Sequence, residues 1–228
     1  IMNSLDNWLG IKETKPVTKQ FCPNIIVYTD GACSNNGKET AKAGIGVYFR
    51  ENDPRNVSKR IEGRQTNNTA ELKAILEVYY ILEKNIERGE QILICSDSQY
   101  AIRCCTDYGE KCEKKNWKRK KGVIPNVELV KKMYGLFKNK NNIQFKHVMS
   151  HTANQDMYSL GNEGADKLAN MAIGLTSCPY SKKYLDIPYR NKEKIKKYGG
   201  KWDRSKKKWY VTEEIWKKYE KDIIILYK

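Results

Sequence analysis

Four carboxylates occupy places in the sequence where the ends of strands and helices would bring acidic side chains together. They are Asp30, Glu71, Asp97 and Asp166. Asp30 and Asp97 each follow a short apolar run that predicts a strand, whereas Glu71 and Asp166 fall in the first turns of two helical patterns. Since sites in open sheets form outside the carboxyl ends of parallel strands, we expect these side chains to meet at one edge. Grouped carboxylate oxygens suit a hard cation such as Mg²⁺.

Each of these carboxylates also has a structural explanation when it is taken alone. Asp30 and Gly31 could form an ordinary turn, and Asp97 could cap the helix that follows it. Glu71 and Asp166 could offset helix dipoles. The elements that surround the four residues and the motifs in which they stand must therefore decide between a site and four separate caps.

Apolar periodicity predicts an α/β fold, with a mixed five-stranded sheet flanked by helices. The predicted strands are Ile25–Tyr28, Gly44–Phe49, Val57–Ile61, Gln91–Cys95 and Ile143–Val148. The predicted helices run from Thr69 to about Arg88, from Ser98 to Cys105, from Val127 to Phe137 and from Glu163 to Ile173. Three antiparallel-type strands followed by alternating helices and strands indicate that the sheet is mixed.

The motifs around the four carboxylates stand in a recognisable order. They read Tyr-Thr-Asp-Gly-Ala, Thr-Ala-Glu-Leu, Ser-Asp-Ser-Gln-Tyr and Gly-Asn-Glu-Gly-Ala-Asp-Lys-Leu-Ala. Together with Met-Ser-His-Thr after the fifth predicted strand, they resemble the type 1 ribonuclease H family over about residues 25–174. The resemblance implies a ribonuclease H-like fold. It places the family's metal-binding carboxylates on Asp30, Glu71, Asp97 and Asp166 and its histidine on His151.

The resemblance implies an endoribonuclease that hydrolyses the RNA strand of an RNA–DNA hybrid and leaves 5′-phosphate and 3′-hydroxyl ends. Two Mg²⁺ ions about 3.5–4 Å apart can serve both ends of an in-line displacement, with Mn²⁺ as a substitute. By resemblance, Asp30 bridges both ions, Asp97 and Asp166 complete one side, and Glu71 supports the other. His151 would assist the leaving group, with a solvated loop histidine as the alternative.

The same resemblance implies contacts to both strands of a hybrid. Minor-groove contacts to ribose hydroxyls fall on the turn Cys33–Gly37 with Asn36, on Asn67 and Asn68, and on Gln99. A phosphate pocket for the DNA strand falls on Arg64, Thr66 and Asn126. The basic run Lys111–Lys121, which includes Trp117 and Lys118, stands where the family carries a basic protrusion, and Tyr108 stands where an aromatic packs on DNA sugar. A turn at Asn67–Asn68 and a solvated charged loop at Lys111–Lys121 are the alternatives.

Charge and composition divide the chain into four parts. We predict a leader or linker over residues 1–24, the catalytic domain over 25–174, a linker over 175–183 and a small basic α+β module over 184–228. The net charge is +16, and residues 175–228 hold 16 basic and seven acidic residues. Their pattern predicts strand, helix, strand and a helix from Thr212, and resembles a small module appended to plasmid- and virus-borne enzymes. The aromatic residues Trp202, Trp209, Tyr210 and Trp216 could form a miniature core or stack on bases of a nucleic acid.

Several classes of protein are disfavoured by composition. No apolar run approaches the roughly 20 residues that a membrane span needs, and the first ten residues lack the pattern of a signal peptide. Seven cysteines without a Cys-x-x-Cys pair, with only two histidines, disfavour zinc and a disulfide framework. We therefore expect a reducing intracellular compartment, cytoplasmic or nuclear, an RNA–DNA hybrid as partner and no obligate protein partner. A Holliday-junction resolvase and a noncatalytic hybrid-binding protein are the alternatives for function.

Overall fold

A mixed five-stranded sheet forms the centre of the larger part of the protein. The computed structural model describes residues 21–150, 156–175, 182–204 and 206–227. The strands are β1 (Ile25–Ser34), β2 (Lys42–Tyr48), β3 (Val57–Arg60), β4 (Ile92–Ser96) and β5 (Ile143–His147), in the order β3-β2-β1-β4-β5. The pairs β1–β2 and β2–β3 are antiparallel, whereas β1–β4 and β4–β5 are parallel. The predicted fold class is confirmed.

Helices cover both faces of this sheet. They are α1 (Asn67–Ile81), α2 (Glu83–Glu87), α3 (Gln99–Cys105), α4 (Asp107–Lys114), α5 (Val127–Phe137) and α6 (Met157–Ala172). Small residues set the distance between layers. A Cβ on Gly31 of β1 would collide with the backbone of α1, and a Cβ on Gly44 of β2 would lie 2.6 Å from Ala172 of α6. The two faces of the sheet are thus held close to their helices, one by α1 and the other by α6.

Capping side chains and buried apolar faces explain where the two helices nearest the acidic residues begin. Thr66 accepts a hydrogen bond from the backbone N–H of Thr69 and caps α1, whose Leu72 and Ile75 are fully buried. Asp156 accepts hydrogen bonds from the N–H groups of Tyr158 and Ser159 and caps α6. Both helices therefore start at residues that the local sequence specifies.

Three predicted boundaries were wrong, and they concern the acidic residues. Strand β1 continues through Asp30 to Ser34, because the small residues after Asp30 keep pairing with β2 as far as Lys42. Helix α1 starts two residues before the predicted Thr69, so Glu71 lies in its second turn. Helix α6 begins at Met157 rather than Glu163, since Gly161 packs against the ring of Tyr28 instead of ending the helix. Asp166 therefore lies in the middle of α6.

The C-terminal residues form a small α+β module with its own core. Its strands are β6 (Lys182–Leu185), β7 (Lys201–Asp203) and β8 (Lys208–Thr212), in the antiparallel order β6-β8-β7, and its helices are α7 (Lys192–Lys197) and α8 (Glu213–Ile224). The module has three strands where two were predicted, because Lys201–Asp203 pairs with β8. Trp209 and Trp216 are buried in its core, which is one of the two roles considered for the aromatic residues. None of the helices in the described part of the chain has the length and apolarity needed to cross a membrane.

Candidate active site

Three carboxylates from three different elements meet beside the centre of the sheet. One carboxylate oxygen each of Asp30, Glu71 and Asp97 lies within 4.8 Å of the others. Asp30 belongs to β1, Glu71 to α1, and Asp97 follows the last residue of β4. The parallel register of β1 and β4 pairs Thr29 with Ser96, which places the two aspartates next to each other. The structure thus brings together three of the four predicted carboxylates, and Asp30 reaches the group from inside its strand.

Burial and mutual repulsion raise the pKa of the two innermost carboxyl groups. Asp30 is 7% exposed, and desolvation raises its pKa well above the usual range, with further contributions from the charges of Asp97 and Asp166. The N–H of Gly31 donates to Oδ1 of Asp30 at 2.7 Å and opposes this shift. Desolvation likewise raises the pKa of Glu71, followed by the charges of Asp30 and Asp97. The ionised cluster therefore needs a compensating positive charge.

The second oxygen of Glu71 supports the fit of a cation. Among the residues that the structure describes, Oε2 of Glu71 is buried and has no hydrogen-bond partner, while Oε1 accepts from Nδ2 of Asn67 at 3.4 Å. Buried carboxylate oxygens are costly to leave without a partner. An acidic, oxygen-only donor set with such an oxygen fits a hard divalent cation, and Asp30, Glu71 and Asp97 are the residues that could hold it.

Asp166 borders the same cluster from α6. Its charge acts on Asp30, although its oxygens fall outside the three-residue group. Nδ2 of the buried Asn170, one turn later in α6, donates to Oδ1 of Asp166 at 2.8 Å. Asn162 of α6 similarly donates to Oδ2 of Asp97 at 3.4 Å. The helix thus supplies one carboxylate and two amides that orient carboxylates.

The carboxylates open into a cleft of about 950 Å³ that several predicted substrate contacts line. The lining includes Cys33, Asn36, Asn67 and Asn68, together with all four acidic residues and Ser150. Asn36 and Asn68 are exposed, so their amides can reach a bound molecule. The cleft therefore presents amide groups together with the carboxylates.

Comparison with known proteins agrees with this geometry. Residues 23–174 match the family model described as RNase H. The chain belongs to the ribonuclease H family.

Curated ribonucleases H align with the same part of the chain. Ribonuclease H1 of Mus musculus is 35% identical over 147 residues, which cover 64% of this chain and 49% of that protein. Ribonuclease H of Schizosaccharomyces pombe is 36% identical, covering 63% and 51%, and that of Clostridium botulinum is 32% identical, covering 65% and 95%. The chain spans about half the length of the mouse and fission yeast proteins.

Solved structures show the same fold. The PFV RNase H domain matches with a TM-score of 0.51 at 21% identity, covering 66% of this chain and 94% of that one. The foamy viral protease-reverse transcriptase in complex with RNA/DNA hybrid matches with a TM-score of 0.54 at 20% identity, covering 71% and 22%. Residues 182–217 match a family model described as a domain of unknown function.

The residues of the predicted phosphate pocket lie just before α1 and just before α5. The hydroxyl of Thr69 joins the hydroxyl of Thr66 at 2.7 Å and donates to Oδ1 of Asn126 at 3.4 Å, so two residues of the predicted phosphate pocket are linked. The third, Arg64, is exposed. Asn126 has a φ of 54° and directs the chain into α5.

A second cleft, of about 610 Å³, is lined by several residues of the basic run Lys111–Lys121. Gln99, Tyr108 and Lys118 line it, and Gln99 follows Asp97 of the acidic cleft by two positions. The predicted contact of Gln99 with a ribose hydroxyl stays a prediction. Trp117 packs its half-buried ring against Tyr134 at 6.4 Å between centroids, which gives it a structural role in addition to any contact with substrate. The basic side chains in the lining of this second cleft include Lys111, Lys115, Lys118 and Arg119.

Two asparagines that contact the carboxylates, Asn162 and Asn170, were not predicted from the sequence. For His151, the structure gives no test. His151 lies outside the described residues, and its predicted role stays a prediction. Asn170 stands four positions after Asp166, which is the spacing at which helical side chains face each other, and this signal could have identified it. The contact of Asn162 with Asp97 crosses from helix to sheet and has no signal in local spacing.

Proposed function

We propose that this chain is an endoribonuclease that hydrolyses the RNA strand of RNA–DNA hybrids, leaving 5′-phosphate and 3′-hydroxyl ends. The observation that carries the proposal is the group of Asp30, Glu71 and Asp97 oxygens within 4.8 Å, opening into a cleft lined by asparagines. Membership of the ribonuclease H family supports the reaction type. A Holliday-junction resolvase would need a surface for branched DNA, whereas the amides of this cleft suit ribose hydroxyls.

The carboxylates would bind two Mg²⁺ ions, or Mn²⁺ in their place. When bound, such ions stabilise charge on the attacking and leaving oxygens of a phosphodiester. Asp30 is the shared neighbour of Glu71, Asp97 and Asp166, so it would contact both ions. Asp97 and Asp166 would complete one side and Glu71 the other, while Asn170 holds the Asp166 carboxylate in one orientation.

Discrimination in favour of a hybrid would come from amide side chains. An amide both donates and accepts hydrogen bonds, as a 2′-hydroxyl does, and Asn36, Asn67 and Asn68 present such groups next to the carboxylates. On the DNA side, Arg64, Thr66 and Asn126 would hold a phosphate, and Lys118 and Tyr108 would contact the strand further along. His151 would assist departure of the leaving group.

Four end-labelled duplexes of matched sequence test this function: RNA–DNA, DNA–DNA, RNA–RNA and branched DNA, each with Mg²⁺ and with EDTA. We expect cutting of the RNA strand of the hybrid alone, and only with Mg²⁺. Hybrid binding without cutting would favour a noncatalytic hybrid-binding protein. Cutting of branched DNA would show that the fold is correct and the substrate wrong.

We also propose the division of the chain into a catalytic domain over 25–174 and a basic module over 184–228. Deleting residues 178–228 should weaken hybrid binding or processivity and leave the cleavage step intact. A truncated protein that binds hybrid fully but does not cut would contradict this division. The reducing intracellular compartment expected from the cysteines stays a prediction.

A further inference from the structure

The sheet of the C-terminal module has one face in the core and one face toward solvent. Leu185, Trp209 and Val211 are buried against side chains of α7 and α8, including Ile195 and Trp216. Because side chains alternate along a strand, the residues between them lie on the opposite face. That opposite face, which we call the outer face, carries Tyr184, Lys201, Asp203, Lys208 and Tyr210.

Two tyrosines form the centre of the outer face. Tyr184 of β6 pairs with Tyr210 of β8, and their ring centroids are 5.8 Å apart. The hydroxyl of Tyr184 donates to Oδ2 of Asp203 at 2.8 Å, which fixes the direction of its ring. Both rings are half-buried. The face thus presents two ordered aromatic rings on a sheet rather than a run of aliphatic side chains.

Lysines surround these rings. Lys201 pairs with Tyr210 across β7 and β8, and Nζ of Lys206 lies 4.8 Å from the centroid of the Tyr184 ring. Residues 201–208 contain five basic residues and one acidic residue. Lys208 forms an ion pair with Asp186 at 2.9 Å, both groups being largely exposed, so this pair is weak and available for exchange. The border of the outer face is therefore positively charged.

We propose that the outer face binds single-stranded nucleic acid, with bases stacked on Tyr184 and Tyr210 and phosphates held by Lys201, Lys206 and Lys208. Aromatic rings on an open sheet bind bases that are unstacked, and lysines at the border follow the backbone without reading sequence. A duplex hides the faces of its bases, so a single strand is the occupant that uses both features. This site goes beyond the proposed cleavage and does not depend on the acidic cleft.

The proposal predicts how the 228-residue chain binds labelled oligonucleotides in EDTA, where cleavage is absent. Wild type should bind oligo-dT and oligo-U of about 20 nucleotides more tightly than an abasic oligomer of the same charge, by about tenfold. Tyr184→Leu with Tyr210→Leu should lose that difference, whereas Tyr184→Phe with Tyr210→Phe should keep it because both rings remain. Tyr189→Leu removes a tyrosine that is 76% exposed but lies outside the sheet, and should change nothing.

Salt dependence tests the lysines separately. Affinity falls with salt, so the slope of log affinity against log salt concentration is negative. Lys201→Ala should make this slope shallower by about 0.7, the value for one phosphate of a single strand. Lys194→Ala, an exposed lysine of α7, should leave the slope unchanged. Equal binding of oligo-dT and the abasic oligomer by wild type would overturn the proposal without any variant. Wild-type binding by the double leucine variant would overturn it as well.

Discussion

The Nδ2 group of Asn170 donates to Oδ1 of Asp166 at 2.8 Å and to the backbone carbonyl oxygen of the same residue at 2.9 Å. The first of these contacts holds the carboxylate of Asp166, whose charge acts on Asp30. Groups that orient a metal ligand commonly change metal affinity by about tenfold or more when removed.

Replacing Asn170 with Ala should therefore raise the Mg²⁺ concentration for half-maximal cleavage by about tenfold, with a smaller effect on the rate at saturating Mg²⁺. Calorimetric titration with Mn²⁺ provides a readout that does not depend on activity. Asn142→Ala is a matched control, because Asn142 donates to backbone carbonyl groups of Ile86 and Glu90 away from the site. An unchanged metal dependence in Asn170→Ala would show that Asn170 is purely structural.

Neutralising Asp30 should stabilise the metal-free protein. Burial and the neighbouring carboxylates raise the pKa of Asp30, so its ionisation at neutral pH opposes folding. In EDTA, Asp30→Asn should raise Tm by about 2–4 °C for each kcal/mol of repulsion relieved. Asp53→Asn is the control of opposite sign, because hydrogen bonds from the Arg55 side chain, together with the charges of Arg55 and Arg50, lower the pKa of Asp53. A lower Tm for Asp30→Asn in EDTA would contradict the repulsion.

The stability of the metal-free protein should also fall with rising pH. Asp30 and Glu71 have raised pKa values in the folded state, so between their unfolded and folded pKa values the folded protein holds more protons than the unfolded chain. The free energy of unfolding contributed by these groups is thus complete below the unfolded pKa and is lost as pH rises through the folded pKa.

Urea titrations in EDTA across that window measure this loss. Asp30→Asn should have a shallower pH dependence than wild type, and added Mg²⁺ should flatten the wild-type curve. The other carboxylates contribute equally to wild type and to Asp30→Asn, so the difference between their free energies of unfolding isolates Asp30. If the stability of wild type relative to Asp30→Asn rises with pH in EDTA, the raised pKa is refuted.

Gly31 should be sensitive to any added side chain. A Cβ at this position would collide with the backbone N of Glu71 and lie 2.8 Å from the Cβ of Ala70. Gly31→Ala should cost about 1–3 kcal/mol of stability and should lower cleavage further, because Glu71 must shift away from Asp30. Gly135→Ala in α5 has open space around it and should be neutral or stabilising by up to about 1 kcal/mol. Denaturant titration and cleavage rates of both variants, compared at equal fraction folded, check this.

The acidic site was largely predictable because each carboxylate stands in a distinctive motif. In addition, the carboxyl ends of the parallel strands β1 and β4 meet at the same edge of the sheet. The last residue of β1 and the first residue of α6 were not predictable in the same way. Asp30-Gly31 has the composition of a turn, and only the neighbouring strand β2 keeps it extended. Gly161 would weaken an isolated helix, and its packing against Tyr28 is a tertiary contact.

The basic module shows a second limit. Its aromatic residues predicted either a miniature core or a stacking surface, and the structure places aromatic side chains on both faces of one sheet. Trp209 is buried, whereas Tyr210, the next residue, lies on the outer face. That separation follows from β-strand alternation. The sequence pattern did not indicate the third strand β7, because Lys201–Asp203 is only three residues long.

The central claim is that the acidic cluster cleaves the RNA strand of a hybrid, and single-turnover cleavage by wild type and Asp97→Asn tests it most directly. Both proteins are mixed in excess with a hybrid labelled on each strand, with Mg²⁺, and hybrid binding is measured in parallel. We predict that wild type cuts only the RNA strand, and that Asp97→Asn binds the hybrid with similar affinity but does not cut it. Cleavage by Asp97→Asn at the wild-type rate would show that the cluster is not the catalytic site.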